Sequence, residues 1–211
     1  MRDMGLDLIE AVNATDHVLG PEQAEVTIVE YGDFECRHCG RAAANLTLVL
    51  ERFAERVRFV FRHSPREDAH PHALLAAEAA ECAASQGKFW AMHDLMFANQ
   101  RNLALPDLMR YGQQLDLDMT LYTQEMADHV YLQRVREHID KARASSVRRT
   151  PAFFVDGVPV SLSFGTQALI DATEAALHRH SLDVNRPGPT APSSTDRPTA
   201  TSTRFTRPRP R

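Results

Sequence analysis

The sequence predicts an α/β fold into which a long all-helical segment is inserted. Three observations support this prediction: a strand–helix–strand pattern over residues 26–62, helical periodicity over residues 70–146, and a strand–turn–strand pattern over residues 152–161. The chain has 211 residues, of which 43% are hydrophobic and 25% charged. These proportions are typical of a globular protein, so we expect one folded domain with a sizeable core.

The first of these patterns indicates a parallel pair of strands. Residues 26–31 (VTIVEY) are β-branched and aromatic with one charge at Glu30, as expected of a strand that is buried on both faces. Residues 37–55 repeat apolar side chains at helical spacing, and residues 57–62 (VRFVFR) form a second strand pattern. A strand–helix–strand connection of this length predicts parallel strands and a right-handed crossover.

The remaining elements follow in order along the chain. Residues 70–146 show helical patterns throughout, which predicts four or five helices. A strand is predicted at residues 152–155, and Asp156–Gly157 is a two-residue turn signal that predicts a hairpin with a return strand at residues 158–161. A final helix is predicted over residues 166–179.

Composition divides the chain into a folded domain and two terminal segments. We predict an N-terminal extension at residues 1–15, a folded domain at 16–180 with its helical insertion at about 66–147, and a disordered tail at 181–211. The tail contains six of the twelve prolines together with Ser, Thr and Arg. It has too few apolar side chains to offset the entropy of ordering the backbone. We interpret it as a solubilising tail, with a basic docking arm as the alternative.

Charge and hydropathy exclude several classes of protein. The formal net charge of −4 gives no concentrated basic face, so nucleic acid is not an expected partner. No apolar run approaches the roughly 18 to 20 residues that a membrane-spanning helix needs. Acidic residues at Asp3, Asp7 and Glu10 interrupt the first ten positions, where a secretory signal would be apolar. We therefore expect a cytoplasmic protein without a membrane span.

Two cysteines, Cys36 and Cys39, lie at the junction of the first strand and the first helix. The first turn of a helix has backbone N–H groups without intrahelical partners and the positive end of the helix dipole, and both stabilise a thiolate at Cys36. Arg37 and His38 add positive or hydrogen-bonding groups. We therefore expect the pKa of Cys36 to be low. A stabilised thiolate is a good leaving group, so the disulfide form would be a strong oxidant.

Other interpretations of the pair remain open. A zinc site needs two further ligands, and the nearby patterns His70-x-His72 and His178-x-His180 lack the usual finger spacing. Two packing cysteines are a second alternative. A redox pair is favoured, because three cysteines are too few for a disulfide scaffold. Cys82 lies in an alanine-rich helical segment and is interpreted as a small buried side chain.

A longer pattern resembles a known family. The stretch EYGDFECRHCGRAA (residues 30–43), the stretch TPAFFVDG (residues 150–157) and the helical block between them resemble a DsbA-like thiol–disulfide oxidoreductase of the thioredoxin superfamily. The resemblance covers about residues 16–180. It implies a thioredoxin-like fold with an inserted helical domain, with Cys36 as the exposed nucleophile and Cys39 as the buried resolving thiol.

The resemblance assigns roles to further residues. It implies that Pro151 is cis and packs beside the cysteines, where its lack of an N–H leaves the Thr150 backbone to pair with an extended substrate. It matches Glu30 to a buried acid that relays protons, for which the alternative is an edge-strand carboxylate that points to water. Many relatives have Pro-His between the cysteines. In this chain His38 retains the thiolate-stabilising role, and Arg37 adds charge and removes a rigid residue.

The predicted function is therefore exchange of disulfides with protein, peptide or small thiol substrates, with glutathione as a candidate small thiol. No bound cofactor or metal is required. One alternative is a glutathione-linked transferase or isomerase of the same superfamily, although such relatives commonly lack the second cysteine. The other is a redox-sensing or zinc-binding module without turnover.

Overall fold

The computed structural model describes Leu8, residues 10–161 and residues 165–184. The first seven residues and residues 185–211 of the predicted tail lie outside this part of the chain, whereas residues 181–184, predicted as the start of the tail, belong to the last helix. Within it there are five β-strands and seven α-helices. In chain order they are β1 (His17–Leu19), β2 (Val26–Gly32), α1 (Arg37–Phe53), β3 (Val57–His63), α2 (Ala73–Ser85), α3 (Phe89–Ala98), α4 (Leu105–Gln114), α5 (Met119–Ala127), α6 (Leu132–Ala144), β4 (Ala152–Val155), β5 (Val158–Val160) and α7 (Thr166–Val184).

The strands form one sheet in the order β1-β3-β2-β4-β5. Strands β2 and β3 are parallel, as predicted, and the other neighbouring pairs are antiparallel. The predicted hairpin joins β4 to β5, with positive φ angles of 48° at Asp156 and 81° at Gly157, as a tight hairpin turn requires. Five helices lie between β3 and β4, which confirms the helical insertion. Strand β1 was not predicted, since three residues are too few to show an alternating pattern.

Strand β2 is buried on both faces, as its composition predicts. Val26 and Ile28 belong to the larger hydrophobic core, which α1, α7 and the helical insertion cover. Val29 and Tyr31 belong to a smaller apolar cluster, which also contains Ala142 of α6. The sheet is therefore a middle layer, and β2 lies in its centre. This arrangement places whatever follows β2 at the junction of the sheet and the helical insertion.

A buried ion pair fixes the segment before β1 to the sheet. Arg62 of β3 donates from Nε and Nη2 to the two carboxylate oxygens of Asp16, each at 2.8 Å. The two side chains are 0% and 1% exposed. Arg62 also donates to the Tyr31 hydroxyl at 3.1 Å and to the backbone carbonyls of Glu10 and Ala11. The guanidinium group is thus fully hydrogen-bonded, as a buried charge must be.

A second polar group connects the helical insertion to the edge of the sheet. Nε2 of His17 and Nε2 of His63 lie 2.9 and 2.8 Å from the same oxygen of Glu81 on α2. Nε of Arg134 lies 2.7 Å from the other oxygen of that carboxylate. The two histidines and Glu81 are the one group among the described residues with donor atoms placed to hold a metal ion. Because Arg134 already balances the carboxylate charge, we interpret the group as a structural contact.

Candidate active site

The first helix begins at the cysteine pair. Cys36 is the residue before α1, with an extended backbone at φ −72° and ψ 114°, and no side chain caps the helix. Its N–H donates to the carbonyl of Asp33, and its carbonyl accepts from the N–H of Gly40, each at 3.1 Å. The first N–H groups of α1 have no intrahelical partner, and those of His38 and Cys39 act on the sulfur of Cys36. This is the arrangement that the sequence predicts.

The two thiols are free and differ in ionisation. A hydrogen bond from the Cys39 thiol lowers the pKa of Cys36 to about 5, against the opposing effect of burial. The backbone N–H of Cys39, the side chain of Thr150 and the backbone N–H of His38 lower it further. Burial, followed by the hydrogen bond to Cys36 and the charge of Glu30, raises the pKa of Cys39 well above its usual value. At neutral pH the pair is one thiolate and one thiol.

The exposure predicted for Cys36 is wrong. Only 5% of its surface is exposed, and Cys39 is 0% exposed. The Cys36 sulfur lies 3.4 Å from the carbonyl oxygen of Thr150. Cys36 nevertheless lines an open cleft of about 410 Å³. Attack on its sulfur must therefore come through this cleft.

The Thr150–Pro151 peptide bond is cis, and both residues are partly buried beside the cysteine pair. They line a groove of about 660 Å³, together with residues of α1, the loop before β4, the β4–β5 hairpin and the start of α7. This groove lies alongside the Cys36 cleft, since Thr150, Arg149 and His38 line both. The two openings form one continuous surface around the sulfur.

Glu30 is buried in the centre of the sheet. It is 1% exposed, and in register it lies between Phe61 of β3 and Phe153 of β4. Neither of its carboxylate oxygens has a hydrogen-bond partner among the described residues. Burial and the negative charge of Cys36 raise the pKa of Glu30 to about 8. The alternative of an edge-strand carboxylate that points to water is therefore wrong.

The residues between the cysteines are both exposed, and His38 differs from its prediction. Its backbone N–H, rather than its ring, lowers the pKa of Cys36. Nδ1 of its ring accepts a hydrogen bond from Arg41 at 2.7 Å. The Arg37 side chain makes no hydrogen bond or ion pair with a described residue, so its charge is available at the cleft.

Two polar side chains that hold this turn were not predicted from the sequence. Asp33 is 2% exposed and accepts from the ring of His70 at 2.7 Å and from the N–H of Arg66 at 2.9 Å. Gln100, from the helical insertion, donates from Nε2 to the carbonyls of Phe34 and Cys36, each at 2.8 Å.

The absence of a side chain at Gly40 leaves room for Gln100 beside the cysteine turn. A Cβ atom at this position would lie 2.1 Å from Oε1 of Gln100. The helical insertion is thereby attached directly to the backbone of the cysteine turn.

His70 and His72, two of the candidate zinc ligands, are engaged by carboxylates, and the third cysteine is inert. Nδ1 of His70 is bound to Asp33, and Nδ1 of His72 lies 3.1 Å from Glu35. Cys82 is 1% exposed on α2, where burial raises the pKa of its thiol to about 12. Its interpretation as a small buried side chain is confirmed.

Comparisons with known proteins agree with the fold. A family model described as thioredoxin matches residues 12–172. The structure resembles BdbD from Bacillus subtilis with a TM-score of 0.71 at 19% identity, over 77% of this chain and 93% of that one. It resembles alpha-DsbA1 from Wolbachia pipientis with a TM-score of 0.72 at 18% identity, over 82% and 96% of the two chains. A thioredoxin-like oxidoreductase from Silicibacter pomeroyi DSS-3 gives 0.68 at 26% identity, over 79% and 94%. The predicted thioredoxin-like fold with a helical insertion is confirmed.

Curated relatives carry a different name. The chain is 45% identical to the Na(+)/H(+) antiporter NhaA 1 of Salinispora arenicola over 172 residues, which are 81% of this chain and 26% of that protein. It is 36% identical to the Na(+)/H(+) antiporter NhaA of Herminiimonas arsenicoxydans over 161 residues, or 76% and 25% of the two chains. The chain thus spans about a quarter of the length of these relatives. None of the helices in the described part of the chain is long and apolar enough to cross a membrane.

Proposed function

This chain belongs to the thioredoxin family, and we propose that it is a DsbA-like thiol–disulfide oxidoreductase with Cys36 as its nucleophile and Cys39 as its resolving thiol. The observation that carries this proposal is the asymmetry of the pair. The pKa of Cys36 is about 5, whereas that of Cys39 lies well above its usual value. A thiolate is the reactive form in thiol–disulfide exchange. At neutral pH Cys36 is therefore in the reactive form, whereas Cys39 is protonated.

The proposed reaction exchanges one disulfide for another. A substrate thiolate attacks the Cys36 sulfur of the Cys36–Cys39 disulfide, and Cys39 leaves as a thiolate that takes up a proton. A second substrate thiolate then attacks the substrate sulfur of the mixed disulfide, and Cys36 leaves. The substrate is oxidised by two electrons and the protein is reduced to two thiols. Reduction of a substrate disulfide follows the same steps in reverse.

The low pKa of Cys36 favours the oxidising direction. At pH 7 a thiol with a pKa of about 5 is about 99% ionised, whereas an ordinary thiol of pKa about 8.5 is roughly 3% ionised. Stabilising the thiolate stabilises the reduced protein, so its disulfide is more easily given to a substrate. The redox poise of the compartment decides which direction operates in the cell, and the cytoplasmic location stays a prediction.

Two other functions have less support. A glutathione-linked transferase of the same fold would not need Cys39, and here the Cys39 thiol is the leading cause of the low pKa of Cys36. A zinc-binding module would need ligands beside the pair, and His70 and His72 are engaged by carboxylates. Ion transport is not proposed for the described residues, because the chain matches only about a quarter of the antiporters.

The test of this function is catalysed oxidation of a dithiol peptide by the oxidised protein, with glutathione disulfide as the terminal oxidant. Multiple turnovers that depend on Cys36 are expected. A single stoichiometric oxidation without turnover would instead fit a redox sensor. Zinc bound by the purified protein at one equivalent would fit the zinc-binding alternative.

Replacement of Glu30 by Gln is expected to slow the attack of Cys39 on the mixed disulfide between Cys36 and the substrate. The reason is that Cys39 must lose its proton before it attacks, and we propose that Glu30 accepts that proton. In the wild-type protein this step should become faster as pH rises through about 8, the pKa of Glu30. The variant should lose this rise and be slower by about tenfold or more above it. Stopped-flow measurement of mixed-disulfide resolution between pH 6 and pH 9.5 would show the difference.

The same variant should be more stable than the wild-type protein at neutral pH. The pKa of Glu30 is raised from 4.5 to about 8 by folding, so between these values folding takes up a proton and stability falls as pH rises. Removing the acid removes this cost, about 3 kcal/mol at pH 7 and almost none below pH 4. Urea unfolding at the two pH values measures it. An unchanged resolution rate and an unchanged stability would together contradict a buried acid with a raised pKa.

A further inference from the structure

Arginine side chains surround the opening of the active site. Five of them line the clefts beside Cys36, and we call them the cationic rim: Arg37, Arg41, Arg66, Arg148 and Arg149. Arg37, Arg66 and Arg149 line the cleft of about 410 Å³ that contains Cys36. Arg41, Arg148 and Arg149 line the groove of about 660 Å³ beside Pro151. This concentration of positive charge occurs in a chain whose formal net charge is −4.

Most of the cationic rim has no acidic partner. The side chains of Arg37, Arg148 and Arg149 are exposed and make no hydrogen bond or ion pair with any residue in the described ranges. Arg41 donates to the ring of His38. Within the part of the chain that the structure describes, Arg66 is the one member of the five that forms an ion pair, at 2.8 Å with an exposed aspartate, Asp68.

The acidic groups near Cys36 are already engaged. Glu35 lines the Cys36 cleft, but one of its oxygens accepts from the N–H of His72 at 2.7 Å and the other lies 3.1 Å from the ring of that residue. Asp33 is buried and bound by His70. Glu67 and Asp68 line a neighbouring cleft of about 430 Å³, which shares three arginines with the cationic rim but does not include Cys36. The surface that a substrate meets around the sulfur is therefore positive.

Two of the unpaired arginines lie next to the residues at which a substrate sulfur would react. Arg37 follows Cys36 directly, and Arg149 precedes Thr150, whose carbonyl oxygen lies 3.4 Å from the Cys36 sulfur. Groups close to a reacting substrate sulfur would lie within reach of these two guanidinium groups. Guanidinium groups bind carboxylates through paired, charge-assisted hydrogen bonds. A cleft lined by charges of one sign also accelerates the arrival of ligands of the opposite sign.

We propose that the cationic rim selects substrates whose reacting sulfur lies next to carboxylates, an inference that rests on the thiol–disulfide exchange proposed above. The carboxylates have two chemical sources: an acidic peptide segment that flanks a cysteine, or a small thiol that carries its own carboxylates. Both place negative charge close to the reacting sulfur. An acidic peptide segment would also occupy the groove of about 660 Å³ beside Pro151, whereas a small thiol would not.

The experiment measures kcat/KM for three dithiol peptides of equal length whose residues next to cysteine are Asp and Glu, Asn and Gln, or Lys. Oxidised glutathione and its tetraethyl ester form the small-thiol arm, as terminal oxidants of the reduced protein. The acidic peptide is expected to exceed the lysine peptide by about tenfold or more at low ionic strength. This ratio should shrink in 1 M salt, where exposed charges are screened beyond about 3 Å.

Two double variants with the same loss of charge assign the effect to the cationic rim. In Arg148→Gln/Arg149→Gln the ratio of acidic to lysine peptide is expected to fall by about threefold or more. In the control Arg136→Gln/Arg179→Gln the ratio should stay as in the wild-type protein. Arg136 and Arg179 are exposed, and neither lines the clefts beside Cys36. A neutral peptide measured alongside separates the charge preference from general loss of activity.

The outcomes separate the charge selection from the thiol–disulfide exchange on which it rests. Equal kcat/KM for the three peptides, together with equal values for glutathione disulfide and its ester, overturns the charge selection and leaves the proposed function standing. No turnover of any peptide overturns both. A preference for glutathione disulfide over its ester without a preference among the peptides assigns the site to small anionic thiols, and the reverse assigns it to acidic peptide segments. Equal ratios in the two double variants would show that the preference does not come from the cationic rim.

Discussion

Replacement of Cys36 by Ser is expected to lower the rate of peptide oxidation by at least about a thousandfold, to the rate without protein. A serine hydroxyl does not ionise at neutral pH and cannot form the mixed disulfide through which both electrons pass. The low pKa of Cys36 and its place on the open cleft make it the one sulfur available for attack in the described part of the chain. Turnover of the dithiol peptide at pH 7 measures the loss.

Cys82→Ser is the matched control for this variant. Cys82 is 1% exposed, its pKa is raised to about 12, and it lies on α2 away from the clefts around Cys36. Its activity should equal that of the wild-type protein. If Cys82→Ser were inactive and Cys36→Ser active, the assignment of the nucleophile would be wrong.

Replacement of Asp16 by Ala is expected to lower the free energy of unfolding by about 3–5 kcal/mol, because it leaves Arg62 charged and buried without its partner. The pair is 0% and 1% exposed, and two hydrogen bonds of 2.8 Å join it. Urea unfolding at pH 7 should show a lower midpoint with an unchanged slope.

The matched control removes an exposed partner of the same kind. Glu25 binds Arg56 at 2.7 Å, but the two side chains are 42% and 49% exposed. Glu25→Ala should therefore change the midpoint little. The hydrogen bonds from Arg62 hold the pKa of Asp16 below its usual value although burial opposes them, so the wild-type protein should lose this contribution as pH falls through that pKa. Equal effects of the two variants would show that the buried pair does not stabilise the fold.

Local patterns account for the parts of the fold that the sequence predicts well. The run of β-branched residues over 26–31 and the Asp156–Gly157 turn each encode an element within a few neighbouring residues, and both elements are found. The parts that could not be predicted depend on distant partners. Strand β1 is three residues long, and its extended conformation depends on antiparallel pairing with β3. The partner of Arg62 lies 46 residues away, and no sequence pattern specifies it.

The same distinction applies to the site. Cys36 and Cys39 could be found because their spacing at a strand–helix junction is a local signal, and Glu30 was identified through the family resemblance. Gln100 could not, since it reaches the Cys36 carbonyl from a helical insertion 64 residues further along the chain. The orientation of the His38 ring could not be predicted either, because it depends on a hydrogen bond from Arg41, one turn along the helix.

The ionisation of Cys36 is the central claim, and a pH titration of the reduced protein tests it most directly. Thiolate ultraviolet absorbance and the rate of alkylation by iodoacetamide should both rise with a midpoint at about pH 5, and Cys36→Ser should lack this transition. A midpoint near the ordinary value of about 8.5, or the same acidic transition in Cys36→Ser, would contradict the account.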